Sequence, residues 1–293
     1  LAAKTTAAIF GRGWHAILFR KPSVSSGGVV RLSKVVLLTG GSKGIGYATA
    51  KSFAEKGCKI YEISRHHAEN PGVVHMEGDV TDPASVQAVV NSVLEREGRI
   101  DVLVCNAGTI LSGAVEFIEL EEIRKLMDLN FFGVVSCVRA VLPHMRKAGS
   151  GRIVCLSSMG GVFPVPFHTY YSASKEAVAA FAYALHSEVR HFGISVCTIF
   201  PGDTNSEQIR YKSHAGDDVY GGMIERSVGQ MEHDEKNGMK PDKVGNVISA
   251  IALKKRVKPC YPIGFMSGAE FFLKRLFTYK FAQTVIRMMY VKK

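Results

Sequence analysis

The chain has no run of eighteen uncharged apolar residues, which removes the simplest case for a membrane-spanning helix. Its six cysteines, at 58, 105, 137, 155, 197 and 260, form no Cys-x-x-Cys pair and have no His-rich run beside them. That argues against a disulfide framework and against a zinc or other metal site, and makes a reducing compartment the expectation. Cys105, Cys155 and Cys197 lie in apolar, strand-like stretches, where cysteine acts as a small hydrophobe. Acids are missing from residues 1–34, which hold six Lys or Arg, and Glu270 alone faces ten bases in 254–293. Residues 35–253 carry 21 bases against 25 acids, so the net charge of +11 resides at the ends. A slightly acidic body with basic ends argues against nucleic-acid binding.

What remains is ordinary material for a globular enzyme: 293 residues, 46% hydrophobic and 22% charged, enough for one large α/β domain or two small ones. Residues 1–31 form an extension set aside from the fold. It has no initiator Met and resembles either an acid-poor targeting segment or non-native upstream sequence.

Val35-Val36-Leu37-Leu38 reads as a strand buried on both faces. It runs into Thr39-Gly40-Gly41-Ser42-Lys43-Gly44-Ile45-Gly46, followed by a helix from Tyr47 to Lys56 that Gly57 stops. Strand, glycine loop and helix make the context of a phosphate-cradling turn: Gly40 for the turn, Gly44 for approach to the pyrophosphate, Gly46 for close packing. A glycine-rich structural turn is the plainer alternative. The second strand, Lys59–Ser64, ends where a carboxylate would read the ribose of NAD, but Ser64-Arg65 stands there, with Lys43 in the loop. Two cations without a carboxylate suit a 2′-phosphate, hence NADP(H), unless they are merely solvated.

Further strands are expected at Val73–Glu77, Ile100–Cys105, Gly151–Ser157 and Ile194–Phe200, and a last one at Tyr261–Gly264. Helices are expected from Pro83, capped by Asp82 or Thr81, to Glu97, from Glu119 to Lys147 with a kink or break at Pro143, from His168 to His191, and from Pro241 to Leu253. This alternation argues for an α/β, doubly wound parallel sheet of Rossmann type in one domain over 32–268. Residues 205–240 show no clear period and read as an irregular substrate lid. Residues 269–293 read as a basic amphipathic helix that packs on its own domain or lies on a membrane surface or partner.

His168-Thr169-Tyr170-Tyr171-Ser172-Ala173-Ser174-Lys175 places Tyr171 and Lys175 on one helical face. A cation beside a phenol favours the phenolate, so the pair forms a plausible acid–base device. The spacing alone is weak, since Tyr-x-x-x-Lys arises by chance in a chain with ten tyrosines.

Taken together, Thr39–Gly46, Asp79-Val80, Asn106-Ala107-Gly108, Asn130, Ser158, Tyr171/Lys175 and Pro201-Gly202 resemble the short-chain dehydrogenase/reductase family over residues 34–204. Cys105 stands where the family commonly has a first Asn. The resemblance implies that Tyr171 is the general acid in ketone reduction and the base in alcohol oxidation. It implies that Lys175 holds the nicotinamide ribose and lowers the Tyr171 pKa, Ser158 polarises the carbonyl, and Asn130 fixes a relay water. Cofactor contacts are implied at Gly40, Ser42, Lys43, Gly44, Ile45, Gly46, Arg65, Asp79, Val80, Asn106, Ala107, Gly108, Tyr171, Lys175, Pro201, Gly202 and Thr204.

The long C-terminal region resembles the hydroxysteroid and retinol dehydrogenase branch. The substrate would be a lipophilic secondary alcohol or ketone held against Ser158 and Tyr171, with walls from Phe163 and Phe167, unless 163–167 is only a stiff packed loop. Tyr170, with no Lys four residues on, is expected to be a pocket wall. A 3-ketoacyl thioester reductase and a non-catalytic NADP(H)-binding sensor or scaffold are the rival readings. A homodimer or homotetramer is implied, in the cytoplasm, with the tail helix offering peripheral membrane contact.

Overall fold

The structure, a computed structural model, describes residues 33–206, 210–264, 271 and 279–290. Contacts divide the chain after Leu32, and the unit Ser33–Lys293 carries everything below. The expected extension over 1–31 lies outside the described residues, as does part of the expected tail helix.

A seven-stranded sheet forms the centre: β1 (Val35–Thr39), β2 (Lys59–Ser64), β3 (Val73–Glu77), β4 (Val102–Cys105), β6 (Gly151–Leu156), β7 (Ile194–Pro201) and β9 (Cys260–Ile263). Its order is β3-β2-β1-β4-β6-β7-β9, and every pairing is parallel. The inner strands are apolar without alternation because helices cover both faces; all five residues of β1 are buried. A small second sheet pairs β5 (Ile110–Ser112) with β8 (Arg210–Lys212).

One face of the sheet is covered by α2 (Pro83–Glu97), α4 (Gly133–Ala148) and α6 (Thr169–Val189), which bury Val86, Val90, Val138, Val141, Val178 and Leu185 against it. The other carries α1 (Gly44–Glu55) and α8 (Pro241–Ala252), with Phe53, Val244 and Ile248 inside. These two helices nearly touch: a Cβ on Gly245 would lie 2.6 Å from the Ala48 carbonyl carbon. Fully burying a side chain such as Phe53 stabilises by roughly 1.5–3 kcal/mol. The sheet order turns back between β1 and β4, so a crevice opens at the carboxyl ends of the strands there.

Four sequence expectations need correction. First, α1 begins at Gly44 rather than Tyr47, with Lys43 as its N-cap. Second, the stretch expected to break at Pro143 runs through it. Pro143 and Arg139, whose carbonyl loses its partner, both face solvent, so water can satisfy that carbonyl. The irregularity lies instead at a π-helical turn, Asp128–Phe132, between α3 (Leu120–Met127) and α4. The 29 residues Leu120–Ala148 are apolar and long enough to cross a membrane by composition, but Val134, Val138, Val141 and Met145 lie in the core.

Third, residues 205–240 are not irregular throughout. They include β8 and α7 (Met223–Lys236), whose Ile224, Val228 and Met231 are buried at helical spacing. Fourth, β5 and a short α5 (Met159–Val162) were not expected. Helix α2 matches its reading closely: Asp82 caps it by accepting from Ala84, and Gly98 ends it in a left-handed conformation, φ +72°.

Candidate active site

At the end of β1, the Thr39 hydroxyl oxygen accepts from the amides of Asn106 and Ala107, at 3.0 and 2.9 Å. The Asn106 side chain donates in return to the carbonyls of Thr39 and Gly40. The glycine loop is thereby tied to the end of β4. Gly40 is left-handed (φ +69°), and a Cβ on Gly46 would lie 2.0 Å from the Gly40 carbonyl oxygen, so neither position admits a side chain. The N-terminus of α1 has no side-chain cap and no acid in its first turn, and Gly44, Ile45 and Gly46 line the cavity. Unsatisfied amides and the positive end of a helix dipole suit a phosphate. The residues fit a dinucleotide on that observation.

Ser42, Lys43, Arg65, Asp79 and Val80 line the same cavity. Arg65 is more than half exposed and stands 4.0 Å from the Asp79 carboxylate, which is itself held by Thr81 at 2.8 and 2.9 Å. Glu62 was not singled out from the sequence. It is a buried carboxylate in an apolar strand, accepts from the Gly41 amide at 3.0 Å and bonds the His75 ring. A lone acid inside Ile60-Tyr61-Glu62-Ile63 is the signal that could have found it.

At the other end of the cavity, Ser158 caps α5 through the Gly160 amide and reaches the Tyr171 phenol with its hydroxyl. Tyr171 is 8% exposed in the first turn of α6, and Lys175, 4% exposed, follows one turn later. The Lys175 ammonium donates to the Leu156 carbonyl at 3.2 Å and lies 6.0 Å from the Tyr171 ring centroid. Asn130, in the π-helical turn, is fully buried. Its amide nitrogen donates to the Thr109 carbonyl and the Ser174 hydroxyl, and its oxygen accepts from the Thr109 amide. Gly108 is wedged between them: a Cβ there would lie 3.1 Å from the Asn130 oxygen and 3.2 Å from the Lys175 ammonium. Pro201, Gly202 and Thr204 complete the edge at the end of β7, with the Thr204 hydroxyl donating to the Gly202 carbonyl.

The electrostatics correct one expectation. Burial pushes the Tyr171 phenol up to about 12; the Ser158 hydrogen bond opposes this, Glu235 adds to it, and Arg210 opposes it. Burial also draws Lys175 down to about 8. Desolvation of both groups, rather than a depression of the phenol by Lys175, dominates the pair.

The cavity encloses about 1370 Å³. Beyond the catalytic end its wall is apolar: Phe163, Met231, and Phe281, Val285, Ile286 and Met289 of α9 (Tyr279–Tyr290). Phe163 lines the cavity, but Phe167, expected as a second wall, does not. It takes a left-handed φ of +62° and packs on Tyr220, Ile224 and Val228, outside the cavity lining. Tyr170 also misses the pocket; it packs on Leu111 and Ile118 and donates to the Val115 carbonyl. His168, Tyr211 and Glu235 also line the cavity and were not singled out; Tyr211 and Glu235 belong to the stretch expected as a lid, but their individual placement depends on how β8 and α7 dock.

A family profile described as short chain dehydrogenase matches residues 34–216. The chain belongs to the short-chain dehydrogenase/reductase family. Among curated proteins it is 41% identical over 228 residues to the 3-ketodihydrosphingosine reductase of Bacteroides thetaiotaomicron, covering 76% of this chain and 84% of that one. It is 35% identical over 219 residues to estradiol 17-beta-dehydrogenase 1 of Rattus norvegicus, covering 69% of this chain and 62% of the relative. Among solved structures, a short-chain dehydrogenase from Streptomyces avermitilis superposes with a TM-score of 0.76 at 30% identity, covering 85% of this chain and 94% of that chain. The chain is thus an oxidoreductase of a family that binds a nicotinamide cofactor and acts on small alcohols or ketones.

Proposed function

We propose that this short-chain dehydrogenase/reductase is an NADP(H)-dependent reductase of a lipophilic ketone, with a long-chain 3-ketone of the sphingoid-base type as the favoured substrate. The observation that carries this reading is the meeting of Ser158, Tyr171 and Lys175 in one cavity with the apolar wall of α9. The 41% identity to a 3-ketodihydrosphingosine reductase favours the long-chain ketone over a steroid or retinoid, for which the estradiol dehydrogenase is the more distant support.

Thr204, at the cavity edge after β7, would hold the nicotinamide, and that cofactor would supply the hydride for reduction of the carbonyl. Tyr171 donates its phenolic proton to the carbonyl oxygen, and Ser158 donates a hydrogen bond to the same atom as charge develops. A phenol raised to about 12 is protonated at neutral pH, the form that reduction requires. Lys175, anchored to the end of β6, would hold the nicotinamide ribose, and Asn130 fixes the turn beside it. Lys43 and Arg65 favour the 2′-phosphate of NADP(H), and Ser64-Arg65 replaces the carboxylate that would read the ribose of NAD.

The deciding experiment follows NADPH oxidation with 3-ketodihydrosphingosine, a ketosteroid, a retinoid and a 3-ketoacyl thioester. Preference for the first supports the reading. Preference for another compound replaces the substrate class, and tight NADPH binding without turnover of any would favour the sensor.

A further inference from the structure

Arg210 comes from the stretch that looks least ordered in sequence, yet only 9% of its side chain is exposed. Strand β8 lies beside β5 in the register Ile110 to Arg210 and Ser112 to Lys212. From there the guanidinium reaches three elements. Its Nη1 stands 2.9 Å from His168 Nε2 and 3.5 Å from the Ser112 hydroxyl. Its Nη2 bonds Glu235 on α7, and its Nε lies 3.5 Å from Glu232, which also pairs with Lys212.

A guanidinium can only donate, so His168 Nε2 accepts and the ring is neutral with its proton on Nδ1. His168 is the N-cap residue of α6, and its ring meets that of Tyr171 edge-on, centroids 5.9 Å apart. His168, Tyr171 and Glu235 line the cavity, whereas Arg210 stands behind that wall. Two bases, Arg210 and Lys212, face two acids, Glu232 and Glu235, so the cluster is neutral and can be buried without a net charge.

We propose that Arg210 is a positioning residue for the reaction: held by Glu235, it fixes the neutral His168 ring against Tyr171, so that the proton donor is aligned only when β8 and α7 are docked. The proposal rests on Tyr171 being the acid–base residue. The fork of the guanidinium is what lets one side chain tie α6 to α7, and a lysine cannot reproduce it. Burial, and then the Arg210 charge, hold His168 down at about 3, so it remains an acceptor at neutral pH. Arg210 also favours the Tyr171 phenolate, while Glu235, the larger influence of the two, disfavours it.

The test combines kinetics with ¹⁵N-histidine NMR, the His168 resonance being assigned through His168→Gln. In the unaltered protein that resonance should stay neutral, with a bare Nε2, between about pH 5 and 8. Arg210→Gln should shift the His168 Nε2 resonance, which loses its guanidinium donor while burial keeps the ring neutral, and should lower kcat by about 10–100-fold, the scale of a misplaced reacting group. The NADPH Kd should stay within about twofold, because no cofactor-binding residue is altered, and Arg210→Lys should not restore kcat. A folded Arg210→Gln variant that keeps its kcat, or loses it with His168 unchanged, overturns the proposal. If that variant does not fold, Glu235→Gln loosens the same clamp from α7. It should lower kcat and shift the His168 resonance, and no change in either overturns the proposal. Turnover surviving in Tyr171→Phe would remove the acid–base assignment while leaving the His168 signal intact, so the two failures are distinct.

Discussion

Asn130 grips Thr109 by both of its backbone polar groups, donating to the carbonyl at 3.0 Å and accepting from the amide at 2.8 Å. This reciprocal pair holds the segment after β4 against the π-helical turn, beside Lys175. Replacing Asn130 with Ala leaves the Thr109 groups and Ser174 without these partners in a buried site. Each of the three hydrogen bonds removed is worth about 0.5–1.5 kcal/mol. Asn130→Ala should therefore lower the unfolding free energy, read from urea titration, by roughly 2–4 kcal/mol in total and reduce kcat, both on purified protein.

The second prediction concerns Tyr171. Tyr171→Phe keeps the ring that packs on His168 and removes only the hydroxyl. Turnover should fall by at least about 10²-fold, the lower range for a general acid. NADPH binding, measured by fluorescence titration, should hardly change, and substantial residual activity would remove the proton-donor role.

Cofactor choice can be tested at Arg65, whose guanidinium lies in the cavity and is more than half exposed. Losing a charge-assisted hydrogen bond costs about 1.5–3 kcal/mol, or roughly 10–100-fold in KM. Arg65→Ala should raise the KM for NADPH by that factor and leave the KM for NADH near its starting value. Equal effects on both would refute contact with the 2′-phosphate.

His168 sets a pH dependence of stability. Its ordinary value of 6.5 falls to about 3 in the folded protein, chiefly through burial. The unfolded chain therefore binds a proton below about pH 6.5 that the folded chain refuses. The contribution is present above 6.5 and is lost as pH falls towards 3, at up to about 1.4 kcal/mol per pH unit. His168→Gln, which retains an acceptor for Arg210, should flatten the urea midpoint between about pH 6.5 and 4.5 relative to the unaltered protein. Parallel profiles would show that another group carries the dependence.

Helix α9 supplies apolar wall through Phe281, Val285 and Ile286, while Met288 and half of Phe281 are exposed beside Lys280 and Arg287. Removing residues 279–293 should raise KM for a long-chain ketone far more than for a short one. We also expect the full chain to co-sediment with anionic liposomes at low salt and to be released at high salt. No sedimentation at low salt would dispose of the membrane contact.

Much of the frame could be read from the chain because strands buried on both faces leave continuous apolar runs, as at Val35–Leu38 and Ile153–Leu156. The glycine loop was readable for a related reason: Gly40 and Gly46 occupy positions where any Cβ would collide. The lid was not, since β8 is three residues long and the buried positions of α7 are diluted by charge and preceded by Gly221-Gly222. Phe167 misled because aromatic residues near a catalytic pair suggest a wall, whereas a left-handed backbone turns it away. Burial, which moves the Tyr171 and Lys175 pKa values, depends on the whole fold and has no local spelling.

The strand order has a consequence for how the protein comes into being. The loop after β1 is held by residues after β4, Tyr171 follows β6, and Arg210 and Glu235 arrive with β8 and α7, almost 200 residues downstream of Gly40. Nearly every pairing that builds the site is remote in sequence, so folding should be slow and late to complete, as it is for topologies of high contact order. A nascent chain released before α7 would carry the phosphate loop and the tyrosine but lack the clamp that aligns them. Activity should therefore emerge only with the last third of the polypeptide, making enzymatic turnover itself a reporter of finished synthesis.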